Sequence, residues 1–144
     1  MQEQREKKED LPLLADLSDS EAVSLCDHLR SELIKDVAAT GGHLASNLGA
    51  VELTVAIHRV LDTRRDRLVF DVGHQCYIHK MLTGRRSQME TLRQYGGIAG
   101  FPKPSESVHD AFIAGHASNS VAAALGMARA RDMLGGTERV LALL

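Results

Sequence analysis

Residues 115–144 read Gly-His-Ala-Ser-Asn-Ser-Val-Ala-Ala-Ala-Leu-Gly-Met-Ala-Arg-Ala-Arg-Asp-Met-Leu-Gly-Gly-Thr-Glu-Arg-Val-Leu-Ala-Leu-Leu. A loop of small polar residues opens a helix predicted over 119–134, which carries Ala122, Ala123, Ala124, Gly126, Ala128 and Ala130. Gly135-Gly136 stops it, and Arg139 to Leu144 then begins a buried strand. Upstream, Arg67-Leu-Val-Phe-Asp71 has the same strand character and is ended by Gly73. Apolar strands separated by helices imply an α/β sheet with mainly parallel strands. In such sheets ligands sit beyond the carboxyl ends of the strands.

The rest of the chain supports that class. Ser18-x-x-Glu21 is a capping box, after which Ala22, Leu25, Cys26, Leu29, Leu33 and Val37 mark one helix face. Gly41 and Gly42 stop that helix. Val51, Leu53, Thr54, Ile57, Val60 and Leu61 read as the next one. Short helices are expected over Gln75 to Leu82 and Ser87 to Gln94, and Gly96 to Ser107 reads as a long surface loop. Met1 to Asp10 is nearly all polar, a frayed end to a flexible tail over 1–17, with the α/β domain running over 18–144.

Composition narrows the function. The 144 residues carry a net charge of −2, with 44% hydrophobic and 25% charged side chains. That balance gives no electrostatic reason to bind nucleic acid or an anionic membrane. No apolar run approaches the ~20 residues of a membrane span, and the N-terminus lacks a signal-peptide core. Two cysteines, Cys26 and Cys76, fit a reduced cytoplasmic protein rather than a disulfide framework. Phe70, Tyr77, Tyr95, Phe101 and Phe112 are the five aromatic residues and are expected to form a local core cluster.

Three of seven histidines directly follow a glycine, at Gly42-His43, Gly73-His74 and Gly115-His116. Glycine lets backbone approach a ligand, and imidazole supplies a donor, an acceptor or a proton near neutral pH. The pattern points to one site built from three loops. Gly115 to Ser120 enters a helix whose N-terminus could hold a phosphate, or which Ser118 or Ser120 simply caps. In Asp71 to Lys80, His74 could face a cofactor while His79 and Lys80 lie on a helix surface. Read as ligand spacing, His74, Cys76 and His79 would instead suggest a zinc-binding module, although no fourth ligand stands nearby. Gly41 to Gly49 reads as a glycine-rich turn in which Ser46 or Asn47 caps the next helix, or as the seat of a catalytic histidine. His28, His58 and His109 carry no functional signal, and Cys26 reads as a small core residue.

In this order, GGHLASNLGAVELTVAIHRV, DRLVFDVGHQCYIHKMLTGRR, GGIAGFPKPSES and DAFIAGHASNSVAAALGMA resemble the 1-deoxy-D-xylulose-5-phosphate synthases, a thiamine-diphosphate-dependent family of the transketolase superfamily. The DVGHQxYxHK block followed by GFPKxxES favours these synthases over transketolase proper. The resemblance covers roughly 11–144. It implies a transferase joining pyruvate to glyceraldehyde 3-phosphate with loss of CO2. The product, 1-deoxy-D-xylulose 5-phosphate, feeds isoprenoid, thiamine and pyridoxal synthesis. The implied fold is a partial three-layer thiamine-diphosphate-binding domain, and the implied assembly of the parent enzyme is a homodimer.

By the same resemblance His74, Gly115, His116 and Ala117 match cofactor-binding positions, with Ala117 where serine is usual. A backbone contact survives that change; a hydroxyl contact does not. His43 matches an active-site histidine near the reacting carbon, suited to proton transfer or to holding the pyruvate-derived group. Asn47 is assigned no role. In the superfamily the strand at 139–144 is followed by Gly-Asp-Gly, whose aspartate binds Mg2+. The metal ligands are therefore expected beyond Leu144, and the chain is expected to be an inactive N-terminal fragment. The alternative is the N-terminal subunit of a split transketolase-like enzyme.

Overall fold

A capping box starts the first helix as its sequence requires. In the computed structural model, which describes residues 14–144, Glu21 N–H donates to the Ser18 hydroxyl and Ser18 N–H to the Glu21 carboxylate. The elements are α1 (Asp19–Thr40), α2 (Leu44–Gly49), α3 (Val51–Val60), β1 (Arg67–Phe70), α4 (Tyr77–Lys80), α5 (Ser120–Leu134) and β2 (Val140–Leu143). Short 3-10 turns lie at Leu14–Asp16, Gly73–Gln75 and Arg86–Thr91. The frayed end expected over Met1 to Asp10 lies outside the described residues. Residues 14–17, counted with that tail, instead form a turn whose Leu17 carbonyl accepts from Arg59 at 2.8 Å.

The two strands pair in parallel, with Arg67 opposite Val140 and Phe70 opposite Leu143. Asp66 fixes the register at one end, where its carboxylate accepts from Arg139 N–H at 2.7 Å. At the other end Asp71 N–H donates to the Leu143 carbonyl at 2.7 Å. The pairing makes this an α/β unit with a parallel sheet. β1 is the buried strand; in β2 only Leu143 is buried.

On the helical side of the core, Leu29 and Leu33 of α1 are fully buried, each contributing roughly 1.5–3 kcal/mol of transfer free energy. They join Phe70, Ile78, Met81, Met89 and Leu92 in one cluster. Gly41 closes α1 with φ 77° and donates to the Val37 carbonyl at 2.8 Å. Gly135-Gly136 closes α5 with the paired backbone bonds of a Schellman stop, Gly136 N–H to Arg131 and Gly135 N–H to Asp132.

Several local expectations are corrected. α3 buries Val51, Thr54 and Val55, spaced i, i+3, i+4, which turns Leu53 and Val60 outward to solvent. The turn expected before it is the helix α2. The helix expected over Gln75 to Leu82 starts at Tyr77, and its continuation breaks at Thr83 and Gly84. There the Thr83 hydroxyl donates to the His79 carbonyl at 2.6 Å, and Gly84 turns the chain with φ 83°. The segment after it is a 3-10 turn rather than a helix to Gln94. Of the five aromatics only Phe70 and Tyr77 are core, and Tyr95 is fully exposed. No helix among the described residues is long and apolar enough to cross a membrane.

Candidate active site

At the carboxyl end of β1 the chain meets a close approach that only glycine permits. A Cβ on Gly73 would stand 2.8 Å from both the Ala114 carbonyl oxygen and Pro102 Cδ. Gly73 N–H donates to that carbonyl at 2.7 Å, which joins the second Gly-His loop to the third. Asp71 makes a second tie. Its carboxylate accepts from Ser118 N–H at 2.8 and 2.9 Å and from the Ser120 hydroxyl at 2.7 Å. The Ser120 hydroxyl first, and Ser118 N–H second, hold the Asp71 carboxyl below the usual carboxylate range.

The phosphate seat expected at the start of α5 thus already receives an anion, the Asp71 carboxylate. Neither serine is the N-cap. That residue is Asn119, whose side chain makes no capping bond.

The first and second loops meet through their histidines. The His43 and His74 rings lie 4.6 Å apart between centroids and are tilted by 50°. Burial first, and the neighbouring His43 second, push the His74 imidazole below its ordinary value, so it is neutral at physiological pH. Tyr77 packs against the first of these loops. Its hydroxyl accepts from His43 N–H at 3.5 Å, and a Cβ on Gly42 would stand 3.0 Å from that oxygen.

Asn47, assigned no role from sequence, is fully buried between the two loops. Its Nδ2 donates to the His43 carbonyl at 2.6 Å and to the His74 carbonyl at 2.7 Å, while its Oδ1 accepts from Tyr77 N–H at 2.9 Å. A polar residue among Leu44, Leu48 and Val51 was the one sequence signal for it.

The site residues read from sequence are therefore gathered to different degrees. His43 and His74 touch. Gly115, His116 and Ala117 are exposed, and the loop joins the site through Ala114 and Ser118 on either side of them. Space is open where a Gly115 side chain would be.

Behind α4 lies a buried ionic network that corrects three further readings. His79 and Lys80 do not lie on a helix surface; both are buried. His79 Nε2 stands 2.9 Å from Asp110 Oδ1, and His79 Nδ1 stands 2.9 Å from His58 Nε2. The carboxylate can only accept, so His79 Nε2 carries the proton and His58 Nε2–H donates to His79 Nδ1. Arg85 grips Asp110 with both terminal nitrogens, at 2.7 and 2.8 Å, and Lys103 N–H adds a bond at 2.7 Å. Lys80 pairs with Glu106 at 2.7 Å, which also accepts from Ala99 N–H at 2.7 Å. His58 and His109 are thus engaged, the latter with the Thr63 hydroxyl at 2.7 Å.

Burial raises the Asp110 carboxyl, but the bonds from His79, Arg85 and Lys103 outweigh it and hold the group well below the usual range. Burial, followed by the charges His79 and His109 can carry, lowers His58 to about 3. The loop from Gly96 to Ser107, expected to run over the surface, is pinned to α4 and the turn after it by Glu106, and Asp110 just beyond it is gripped by His79 and Arg85. The zinc reading fails on the same geometry. Both His79 nitrogens are engaged, and burial raises the Cys76 thiol to about 12, far from a ready thiolate ligand.

A parallel α/β unit with its conspicuous side chains gathered beyond a strand's carboxyl end belongs to the class that places ligands there. The family model described as 1-deoxy-D-xylulose-5-phosphate synthase matches residues 4–144. A curated 1-deoxy-D-xylulose-5-phosphate synthase of Chlorobium luteolum is 60% identical over 131 residues, covering 91% of this chain and 21% of the relative. One from Neisseria gonorrhoeae is 61% identical over 120 residues, covering 83% and 19%. A probable chloroplastic synthase of Oryza sativa is 56% identical over 131 residues, covering 91% and 18%. The chain belongs to the 1-deoxy-D-xylulose-5-phosphate synthase family. It spans about a fifth of the length of these relatives.

Proposed function

We propose that this chain is the N-terminal part of a synthase that condenses pyruvate with glyceraldehyde 3-phosphate, with loss of CO2, and that it forms one wall of the thiamine diphosphate site. The carrying observation is the convergence of the His43, His74 and Gly115 loops beyond β1, in a chain of this family. The fit to the cofactor rests on the exposed 115–117 loop, the open space at Gly115 and the adjoining pair of rings. His74 and the backbone of Gly115, His116 and Ala117 would hold it. When bound, thiamine diphosphate supplies the nucleophilic carbon that decarboxylation of a 2-oxo acid needs.

The protein's own residues supply order and proton handling. His74, neutral and backed by the core, offers one ring nitrogen as donor and the other as acceptor. His43, more exposed than His74, would hold or move a proton at the carbonyl oxygen of the 2-oxo acid. The described residues hold no group of three or more His, Cys, Asp or Glu able to bind a metal ion. By the family resemblance, Mg2+ would be held by ligands on other sequence. The unit is read as part of a three-layer domain that other sequence completes, the parent enzyme as a cytoplasmic homodimer, and the 144-residue chain alone as inactive.

A chimera tests this. Residues 14–144 replace the matching segment of the Chlorobium luteolum synthase, and product formation is assayed with pyruvate, glyceraldehyde 3-phosphate, thiamine diphosphate and Mg2+. The chimera is active, and His43→Ala or His74→Ala lowers kcat/KM by roughly 10²-fold or more. Unchanged rates in both alanine variants would overturn the assignment; so would product from the isolated chain overturn its inactivity.

A further inference from the structure

We propose that Asn47 is a positioning residue that fixes the spacing of His43 and His74. The inference rests on reading that pair as the site. Asn47 Nδ2 donates one hydrogen to the His43 carbonyl and the other to the His74 carbonyl, at 2.6 and 2.7 Å. The two ring-bearing residues come from loops 31 positions apart, and both main chains are anchored on one nitrogen. Asn47 Oδ1 accepts from Tyr77 N–H, a first-turn donor of α4 with no partner inside that helix. The third anchor matters because the Tyr77 ring packs against Gly42 and its hydroxyl reaches His43 N–H.

Only an amide of this length answers all three groups. An aspartate in the same shape keeps the acceptor toward Tyr77 but faces two carbonyl oxygens with a carboxylate oxygen, which drives the loops apart. An alanine removes the donor that the His43 and His74 carbonyls share and leaves the Tyr77 N–H without its acceptor. The nearby Ser46 hydroxyl reaches the His43 carbonyl at 3.5 Å but touches neither His74 nor Tyr77, so it cannot substitute. Asn47 itself is fully buried and touches no solvent, so its action on the rings runs through the backbone.

The test uses isotope-labelled 144-residue chain without cofactor, read by NMR. In the parent, the His43 and His74 rings show a cross-ring NOE, His74 titrates below the ordinary histidine value, and the Tyr77 amide is protected from exchange. Asn47→Ala abolishes the NOE, moves the His74 midpoint up toward the ordinary value, and speeds Tyr77 amide exchange roughly tenfold, the loss of one buried hydrogen bond. Asn47→Asp also loses the NOE but keeps Tyr77 protected. Ser46→Ala leaves all three readouts at the parent values. A retained NOE and unshifted His74 midpoint in Asn47→Asp would overturn the proposal even where Asn47→Ala fails to fold. An unprotected Tyr77 amide in the parent would overturn it without any variant. None of these readouts involves thiamine diphosphate, so a failed chimera assay and a failed positioning role give separate signatures.

Discussion

Removing the Asp110 carboxylate is the most demanding perturbation of this fold. The side chain is wholly buried and answers four donors: His79 Nε2, two nitrogens of Arg85, and Lys103 N–H. Asp110→Ala leaves the Arg85 guanidinium, whose side chain is only 5% exposed, without its bidentate partner. Breaking one side of a buried pair costs about 3–5 kcal/mol, because the remaining charge stays desolvated. With a urea dependence of about 1–3 kcal/mol per molar, the unfolding midpoint falls by roughly 2 M. Far-UV circular dichroism in urea at neutral pH measures it. Should the alanine variant be unfolded without urea, the double variant Asp110→Leu with Arg85→Met decides, since an apolar pair recovers the part of the loss that comes from the unpaired guanidinium, though not the bonds to His79 and Lys103 N–H. A midpoint within about 0.3 M of the parent for Asp110→Ala would refute the reasoning, as would a double variant no more stable than the single one.

Two further outcomes follow from the same geometry. His58 is held at about 3 against an ordinary 6.5, so below that value the unfolded chain binds protons the folded chain refuses. Stability therefore falls as pH drops from 6.5 toward 3, by up to about 1.4 kcal/mol per pH unit for each such proton. His58→Gln keeps a donor for His79 and flattens that slope in urea melts taken across the range; an unchanged slope would count against His58 as its source. Asp110 adds a separate loss only below the ordinary carboxylate range, because its folded value is depressed. Gly73→Ala forces a Cβ against the Ala114 carbonyl and Pro102, and costs roughly 1–3 kcal/mol as overpacking. Ala114→Gly, which leaves the carbonyl where it is, should not relieve it in thermal melts.

The long helices were legible because each is set by local signals: a capping box at Ser18, glycines at 41 and 135, and apolar spacing between them. The parallel pairing was legible from the alternation of helix and strand. The polar interior was not. His79 and Lys80 look like solvent residues on a four-residue helix, and nothing local announces that Asp110 and Glu106, some thirty positions on, will answer them. Asn47 was missed for the same reason, since its partners lie on two loops that sequence spacing does not relate. At the start of α5 the local pattern offered a phosphate or a serine cap, while the fold supplies an aspartate from the end of β1. The Gly-His pairs mark three loops that the fold brings together, the His43 and His74 rings side by side and Gly73 N–H on the Ala114 carbonyl. Which of them would touch depended on a side chain, Asn47, whose identity carries no meaning until the loops are folded together.

Both cysteines of the chain are interior, Cys26 on α1 at 5% exposure and Cys76 just ahead of α4 at 0%, and burial raises both thiols. The folded chain is therefore nearly blind to alkylating reagents, and each thiol becomes a clock for opening. Cys76 can be trapped only when the Asn47 and Asp110 attachments around α4 let go. Cys26 can be trapped when α1 alone lifts. The ratio of the two labelling rates, read by mass spectrometry without any engineered probe, tells whether the helical face and the histidine loops come apart together or in turn.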